Sequence, residues 1–247
     1  MSDQPASRNH PILLLVVCYG AAALLLLSNF TGAYDVVWKG LDEGVFRALN
    51  ATIGAGKPLT QFWAWTNSKL FDEITFVVML GLCAYLFFSA PREERLRVCG
   101  KLGAIILLIL IALLISKQLF SDMPHRSPGY ALAPFNNLND FISGYTVKTA
   151  SLNSFPGDHA MTSALFAGGL ILLFRDRPYV IAFGLILMVF VCLPRLAGGG
   201  HWLTDVLVGG GAAALILLPW LKISPLPRWM EKLTAWAWRM TEIFVRR

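Results

Sequence analysis

The sequence predicts an all-α, polytopic membrane protein with six transmembrane helices. Hydrophobic residues make up 56% of the 247 residues and charged residues only 15%, a more apolar composition than that of a soluble domain of this length. The apolar residues are also grouped in runs, and about 20 helical residues cross a bilayer core. The six predicted spans are residues 11–28, 73–90, 102–120, 160–174, 178–193 and 205–221. We treat residues 1–247 as a single integral membrane domain.

The first apolar run has an alternative interpretation as a secretory signal peptide, because Arg8 precedes it. Residues 11–28 form a longer run than the 7–15 or so apolar residues of such peptides, and no small-x-small cleavage site follows. We therefore expect a retained span.

Two segments outside the spans have helical apolar spacing. Residues 41–51 place Leu41, Val45, Phe46 and Leu49 on one side and predict a short interfacial helix. The tail, residues 222–247, is predicted to form an amphipathic helix on the membrane surface, with a frayed polar tail as the alternative. The apolar positions of this tail helix are Trp229, Leu233, Trp236, Met240 and Ile243.

The basic residues predict the orientation of the chain. A net charge of +6 would suit nucleic acid, but the Lys and Arg residues flank the apolar runs, as membrane topology requires. Six spans place both termini on one side, and that side carries 13 of the 21 Lys and Arg residues. The positive-inside rule makes this side cytoplasmic. The loops before the fourth and sixth spans then face outward.

The junction between a loop and the fourth span has features of a phosphate-binding turn. It reads Ser154-Phe155-Pro156-Gly157-Asp158-His159. Pro156 suits a turn and Gly157 allows close backbone approach. The first amides of a helix lack internal partners and attract anions. His159 stands where it could exchange a proton with a phosphate ester.

A second polar stretch lies between the fifth and sixth spans. His201 and Asp205 are four residues apart and share a helix face. A carboxylate on one imidazole nitrogen leaves the other nitrogen as a nucleophile. Arg195 offers a planar fork that matches phosphate oxygens, and Gly198, Gly199 and Gly200 allow a bend before His201.

Each of these residues has a structural explanation when taken alone. His159 could cap a helix, His201 and Asp205 could form a structural hydrogen bond, and Arg195 could extend to the membrane surface. The combination at the outer ends of neighbouring spans favours a functional site, since polar groups near a membrane interior are costly. A cation site of His159, His201, Asp158 and Asp205 is a further alternative. We expect a metal-independent site without a cofactor.

The combination resembles the type 2 phosphatidic acid phosphatase (PAP2) superfamily. The family pattern Ser-Arg-x5-His-x3-Asp is matched by Arg195, His201 and Asp205, with Pro194 in place of Ser. Pro-Ser-Gly-His is matched by Pro156 and His159, with Gly157 and Asp158 replacing the middle pair. Lys-x6-Arg-Pro is matched loosely by Lys117 and Arg126-Ser127-Pro128, with eight residues between Lys and Arg. The resemblance implies a PAP2-like helical bundle with an outward-facing site.

The positions that differ from the superfamily patterns, and the segments around them, resemble one branch of that superfamily, the lipid A 1-diphosphate synthases. This resemblance covers about residues 40–222. The segments include the junction at 154–159, the run from Leu193 to Asp205, Leu218-Pro219-Trp220 and residues 66–72, Thr-Asn-Ser-Lys-Leu-Phe-Asp. The resemblance implies a bacterial inner-membrane enzyme that moves the distal phosphate of undecaprenyl diphosphate to the 1-phosphate of lipid A or lipopolysaccharide on the periplasmic face.

The resemblance also implies roles for the residues. His201 would attack the phosphorus and become a phosphohistidine, Asp205 would orient it, and His159 would act as acid and base. The implied phosphate-binding residues are Lys117, Arg126, Arg195, Gly157, Asp158 and Ser154. Asp158 stands where the superfamily has Gly. It could pair with Lys117 or Arg126, or shape the acceptor site.

Two other functions fit the same chain. A lipid phosphatase acting on undecaprenyl diphosphate or on lipid A 1-phosphate would use water as the acceptor. A lipid-binding or transport protein without enzymatic activity would not require the His201–Asp205 pair beside an amide-rich helix start.

Overall fold

The computed structural model describes residues 9–245 and the side chains of residues 11–240. Arg8 and the side chain of Ile243, both used in the predictions above, lie outside these described parts. Short 3-10 turns form at Arg92–Glu94 and Leu138–Asp140, and a π-helical segment forms at Asp205–Gly210. The α-helices are α1 (Asn9–Phe30), α2 (Ala33–Val37), α3 (Lys39–Asn50), α4 (Pro58–Thr66), α5 (Lys69–Phe88), α6 (Arg95–Phe120), α7 (Pro128–Ala131), α8 (Asp158–Leu173), α9 (Pro178–Ala197), α10 (Gly211–Leu217), α11 (Trp220–Ile223) and α12 (Leu226–Val245).

Within the described residues, five helical stretches have the length and hydropathy of membrane spans: Pro11–Phe30, Lys69–Phe88, Arg92–Phe120, Pro178–Ala197 and Asp205–Ile223. The prediction of an all-α, multi-pass membrane protein is confirmed. The predicted count of six is met only in part, because the remaining apolar helix, α8, has 16 residues rather than the roughly 20 of a full span.

Helix α8 packs inside the bundle, which explains how a short helix is accommodated. Leu165 and Leu170 of α8 are fully buried and pack with Ile105 and Leu108 of α6. The two helices approach closely at Gly169, where a Cβ would lie 2.6 Å from Cγ1 of Ile105. Because α8 contacts protein along most of the helix, it need not be as long as the bilayer core is thick.

Helices α1 and α5 lie at the periphery. Val16 and Leu24 of α1 are exposed, as are Phe76 and Val77 of α5. Large apolar side chains exposed along a whole helix suit lipid rather than water as the surrounding medium. These two helices therefore supply lipid-facing surface around the α6–α8 core.

The last span is broken into pieces where it passes the loop before α8. The π-helical turns of Asp205–Gly210 precede α10, and π-helical turns occur often at functional sites. Gly209 lies against Pro156, since a Cβ there would fall 2.7 Å from Cβ of Pro156. This close contact holds the two predicted polar stretches together.

The helix predicted at 41–51 is confirmed as α3, which buries Phe46 and Asp42. The predicted tail helix is confirmed as α12, although it packs partly against protein. Met230 joins the core around α6. A Cβ at Gly103 of α6 would lie 3.0 Å from the Cε atom of Met230. The apolar side of α12 that was predicted to face lipid is exposed, at Trp229, Leu233, Trp236 and Met240.

Candidate active site

The end of α9 and the glycine turn after it position the second polar stretch. Helix α9 runs through Pro194 and Arg195 to Ala197. Gly199 then takes a φ of +85°, a conformation that favours glycine, and its carbonyl accepts a hydrogen bond of 3.0 Å from the amide of Gly129. The predicted bend at the glycines is therefore confirmed, and it turns the chain back toward the site.

His201 and Asp205 form the pair that their spacing predicts. Nδ1 of His201 lies 3.2 Å from Oδ2 of Asp205. Oδ2 also accepts a hydrogen bond of 2.9 Å from the amide of Trp202. The Asp205 side chain is fully buried, whereas 14% of the His201 side chain is exposed. The carboxylate thus lies behind an imidazole whose outer edge reaches the cavity described below.

A second buried carboxylate, that of Asp42, binds the residue next to Asp205. Asp42 of α3 accepts hydrogen bonds from the amide of Thr204 at 2.9 Å and from its hydroxyl at 2.8 Å. Burial raises the pKa of Asp42, while these two hydrogen bonds from Thr204 oppose that rise. Helix α3 therefore holds the residue that directly precedes Asp205.

The helix start predicted to carry His159 lies beside Arg195. Helix α8 begins at Asp158, and Nε2 of His159 is 3.3 Å from Nη2 of Arg195. Arg195 is buried, and its Nη1 donates a hydrogen bond of 2.9 Å to Oδ1 of Asn67. The side-chain Nδ2 of Asn67 in turn donates to the carbonyl of Pro194 at 2.8 Å. Asn67 therefore joins Nη1 of Arg195 to the backbone of α9.

Asp72 is a member of this cluster that the sequence reasoning missed. Its Oδ1 pairs with Nη2 of Arg195 and lies 3.1 Å from Nε2 of His159. The one signal in the sequence is the segment of residues 66–72, which contains both Asn67 and Asp72 and resembles the lipid A 1-diphosphate synthases. Nothing in the spacing of the sequence places Asp72 near His159 and Arg195, which follow it by 87 and 123 positions.

His125 was also missed, and it explains the position of Ser154. Nδ1 of His125 lies 3.4 Å from Oδ1 of Asp205 and 2.9 Å from Oγ of Ser154. The Ser154 hydroxyl donates to the His125 carbonyl at 3.0 Å, and the serine is fully buried. Ser154 was predicted to bind phosphate, but the structure instead places it behind the site, in contact with His125.

A polar cavity of about 610 Å³ joins most of the predicted residues. His159 and His201 line it, and so do the carboxylates Asp72 and Asp158. Its cationic lining residues are Lys69, Lys117, Lys148 and Arg195. Lys117 was predicted from sequence, whereas Lys69 and Lys148 were not. Four cations against two carboxylates give the cavity a positive balance that suits a phosphate ligand.

Two other predicted phosphate contacts lie elsewhere. Arg126 is exposed and is not among the lining residues of the cavity, and its carbonyl accepts a hydrogen bond of 2.7 Å from the Trp202 indole. The amide of Gly157 donates to the carbonyl of Asp205 at 3.4 Å, so it is not free to bind an anion. We leave Arg126 and the Gly157 amide out of the phosphate-binding group proposed below.

An apolar cavity of about 510 Å³ adjoins the polar one. The two share Asp72, Leu113, Asp158 and His159 as lining residues. The apolar cavity extends along α5, α6, α8 and α9, where its lining includes Phe76, Met79, Ile109, Phe166 and Leu187. A molecule with a phosphate head and a hydrocarbon tail would match both cavities.

These groups together can perform phosphoryl transfer. The His201 ring, fixed through Nδ1, can present Nε2 as a nucleophile. Arg195 and the lysines can stabilise charge on a transferring phosphoryl group, which is the main requirement of this chemistry. His159 can exchange a proton with a leaving or attacking oxygen.

Comparisons with known proteins agree with this chemistry. A family model described as the PAP2 superfamily matches residues 131–229, a range that contains His159, Arg195, His201 and Asp205. The match begins after Lys117 and Arg126, the residues of the loosest predicted motif.

A curated relative and a solved structure extend the comparison. The relative, the lipid A 1-diphosphate synthase of Escherichia coli (strain K12), is 31% identical over 221 residues, which cover 89% of this chain and 90% of the relative. The crystal structure of a transmembrane PAP2 type phosphatidylglycerolphosphate phosphatase from Bacillus subtilis is 20% identical, with a TM-score of 0.48, and the match covers 85% of this chain and 93% of that one. With this relative and the family model, the chain belongs to the PAP2 superfamily.

Proposed function

We propose that this protein is a lipid phosphotransferase that moves the distal phosphate of undecaprenyl diphosphate to the 1-phosphate of lipid A. The products would be lipid A 1-diphosphate and undecaprenyl phosphate. The acceptor is suggested by the name of the relative from Escherichia coli, and the donor by the resemblance of the motifs.

One observation carries the proposal: the buried His201–Asp205 pair opens onto a cationic cavity that adjoins an apolar one. The polar cavity suits the phosphate groups, and the apolar cavity suits a hydrocarbon chain. The shared lining residues, among them His159, would lie at the junction between head and tail.

In the first half-reaction, Nε2 of His201 attacks the distal phosphorus of the donor. A nitrogen–phosphorus bond forms, and the bond from phosphorus to the bridging oxygen breaks with its electron pair on that oxygen. His159 supplies a proton to the undecaprenyl phosphate that leaves. Arg195, Lys117 and Lys148 stabilise the charge on the transferring group.

In the second half-reaction, a phosphate oxygen of lipid A attacks the phosphohistidine. The new oxygen–phosphorus bond forms while the nitrogen–phosphorus bond breaks, and the electron pair returns to Nε2 of His201. The attacking phosphate is the monoprotonated form, and His159, now neutral, accepts its proton. This step restores both histidines to their starting state.

The distribution of charge supports a site on the periplasmic face of the inner membrane, with both termini in the cytoplasm. The basic segment from Arg92 to Lys101 lies at the opposite end of α6 from Lys117. Lys101 also donates a hydrogen bond of 2.9 Å to the carbonyl of Leu173, which joins the basic end of α6 to the end of α8 farthest from His159. The positive-inside rule places these ends in the cytoplasm.

The fate of a labelled phosphate tests the proposal. Purified protein is given undecaprenyl diphosphate that carries ³²P in its distal phosphate, with and without lipid A. We expect the label to move to lipid A, and we expect His201→Ala to abolish this transfer. Arg47→Ala is the control, because this exposed cation of α3 lies outside the lining of the polar cavity.

Two results would contradict the transferase proposal in different ways. Label that appears only as free phosphate in the presence of lipid A would identify a phosphatase that uses water. A donor that stays intact under every condition would favour the lipid-binding or transport alternative.

A further inference from the structure

Asp72 occupies a position in the polar cavity that neither the family motifs nor the proposed half-reactions use. It lies in the first turn of α5, after Ser68, whose hydroxyl oxygen accepts a hydrogen bond of 3.2 Å from the Phe71 amide. The Asp72 side chain is 38% exposed and lines both the polar and the apolar cavity. It can therefore reach a bound lipid phosphate as well as protein groups.

A single oxygen of Asp72 contacts the two groups expected to handle the phosphate. Oδ1 pairs with Nη2 of Arg195 and lies 3.1 Å from Nε2 of His159. Nη1 of Arg195 is already held by Asn67, at 2.9 Å. The carboxylate oxygen thus takes the place that a phosphoryl oxygen would need in order to contact Nη2 of Arg195.

The contact with His159 resembles the contact of Asp205 with His201. In each case a carboxylate oxygen lies about a hydrogen-bond length from one ring nitrogen, at 3.1 Å for Nε2 of His159 and 3.2 Å for Nδ1 of His201. A carboxylate in this position stabilises the protonated imidazole and fixes the ring orientation. His159 requires that protonated form to protonate a leaving group.

We infer that Asp72 is a positioning residue with two effects: it orients the His159 ring, and it competes with phosphate for Arg195. The inference deepens the proposed function and rests on its use of His159 as the proton donor. When a phosphate binds Arg195, it displaces the carboxylate from the guanidinium, and Asp72 stays with His159. When the phosphate leaves, Asp72 returns to Arg195 and so weakens retention of free phosphate.

The variant Asp72→Asn tests both effects, because it keeps the shape and removes the charge. The neighbouring variant Glu73→Gln is the matched control, since Glu73 is an exposed carboxylate on the same helix turn. The assay follows consumption of ³²P-labelled undecaprenyl diphosphate and counts every labelled product. It therefore reports on Asp72 whether the acceptor is lipid A or water, and so separates this inference from the transferase proposal.

We expect Asp72→Asn to lower kcat about 100-fold, the scale of a general acid that has lost its function. Orthovanadate, used as a phosphate-like inhibitor, should bind about tenfold more tightly, because it no longer competes with a carboxylate. Glu73→Gln should change none of these values.

Two results would overturn the inference. They are an Asp72→Asn enzyme that matches the Glu73→Gln control in kcat, and unchanged or weaker inhibition by vanadate. If Asp72→Asn does not fold, as judged by gel filtration and thermal unfolding in detergent, Asp72→Glu decides instead. Asp72→Glu keeps the charge, so inhibition by vanadate at the wild-type strength supports the inference, and inhibition about tenfold tighter rejects it.

Discussion

At the scale of single residues, the site contains two histidines that each contact a carboxylate. Asp205 is fully buried behind His201, whereas Asp72 is partly exposed beside His159. A buried carboxylate suits a nucleophile that must keep one orientation. A partly exposed one suits a residue that exchanges partners during the reaction.

The two histidines predict a bell-shaped dependence of kcat/KM on pH. His201 must be neutral to attack and His159 must be protonated to donate, so the rate should fall on both sides of an optimum. Initial rates with undecaprenyl diphosphate measured from about pH 5 to 9 check this, and a flat profile would contradict the two-histidine scheme.

Some of these residues could be predicted from the sequence and some could not. His201 and Asp205 are four residues apart, and helical geometry alone brings such a pair together. Asp72 and His125 reach the site only through tertiary packing, 87 and 80 positions from His159 and Asp205, and no local pattern carries that information. Arg126 matches the superfamily pattern loosely, and Ser154 belongs to the segment that resembles one branch of it, but neither residue lines the polar cavity.

At the scale of helices, the structure agrees with the predicted runs and differs at their ends. Helix α6 begins at Arg95 rather than 102, because a polar turn continues the helix beyond the apolar run. Helix α9 continues to Ala197, past the 193 predicted, and so carries Arg195 on regular helix. The break of the last span at Asp205–Gly210 could not be predicted, since it depends on the contact of Gly209 with Pro156.

The orientation of these helices can be tested with single cysteines. Ser143→Cys lies in the loop before α8, on the proposed periplasmic side, and Glu93→Cys lies in the basic turn before α6. Both are exposed, and each is placed in a background in which Cys18, Cys83, Cys99 and Cys192 are serine. In intact spheroplasts, a membrane-impermeant maleimide should label Ser143→Cys and should reach Glu93→Cys only after permeabilisation. The reverse pattern would invert the topology.

At the scale of the whole molecule, the bundle places a cationic cavity beside an apolar one. Helices α6, α8 and α9 contribute residues to both cavities, and α5 brings Asp72 to their junction. The loosely packed, lipid-facing α5 leaves the apolar cavity next to the membrane, where the tail of a lipid substrate resides. In the proposed reaction, the polar cavity would hold the reacting phosphate and the apolar cavity would hold the hydrocarbon chain.

The central claim is that the phosphoryl group passes through His201. Rapid acid-free quenching of protein mixed with ³²P-labelled donor, followed by peptide mapping, measures this most directly. We predict alkali-stable, acid-labile label on the peptide that contains His201, absent in His201→Ala and in Asp205→Ala at early times, and discharged when lipid A is added. Transfer at the wild-type rate by His201→Ala, or label on a different residue, would contradict the account.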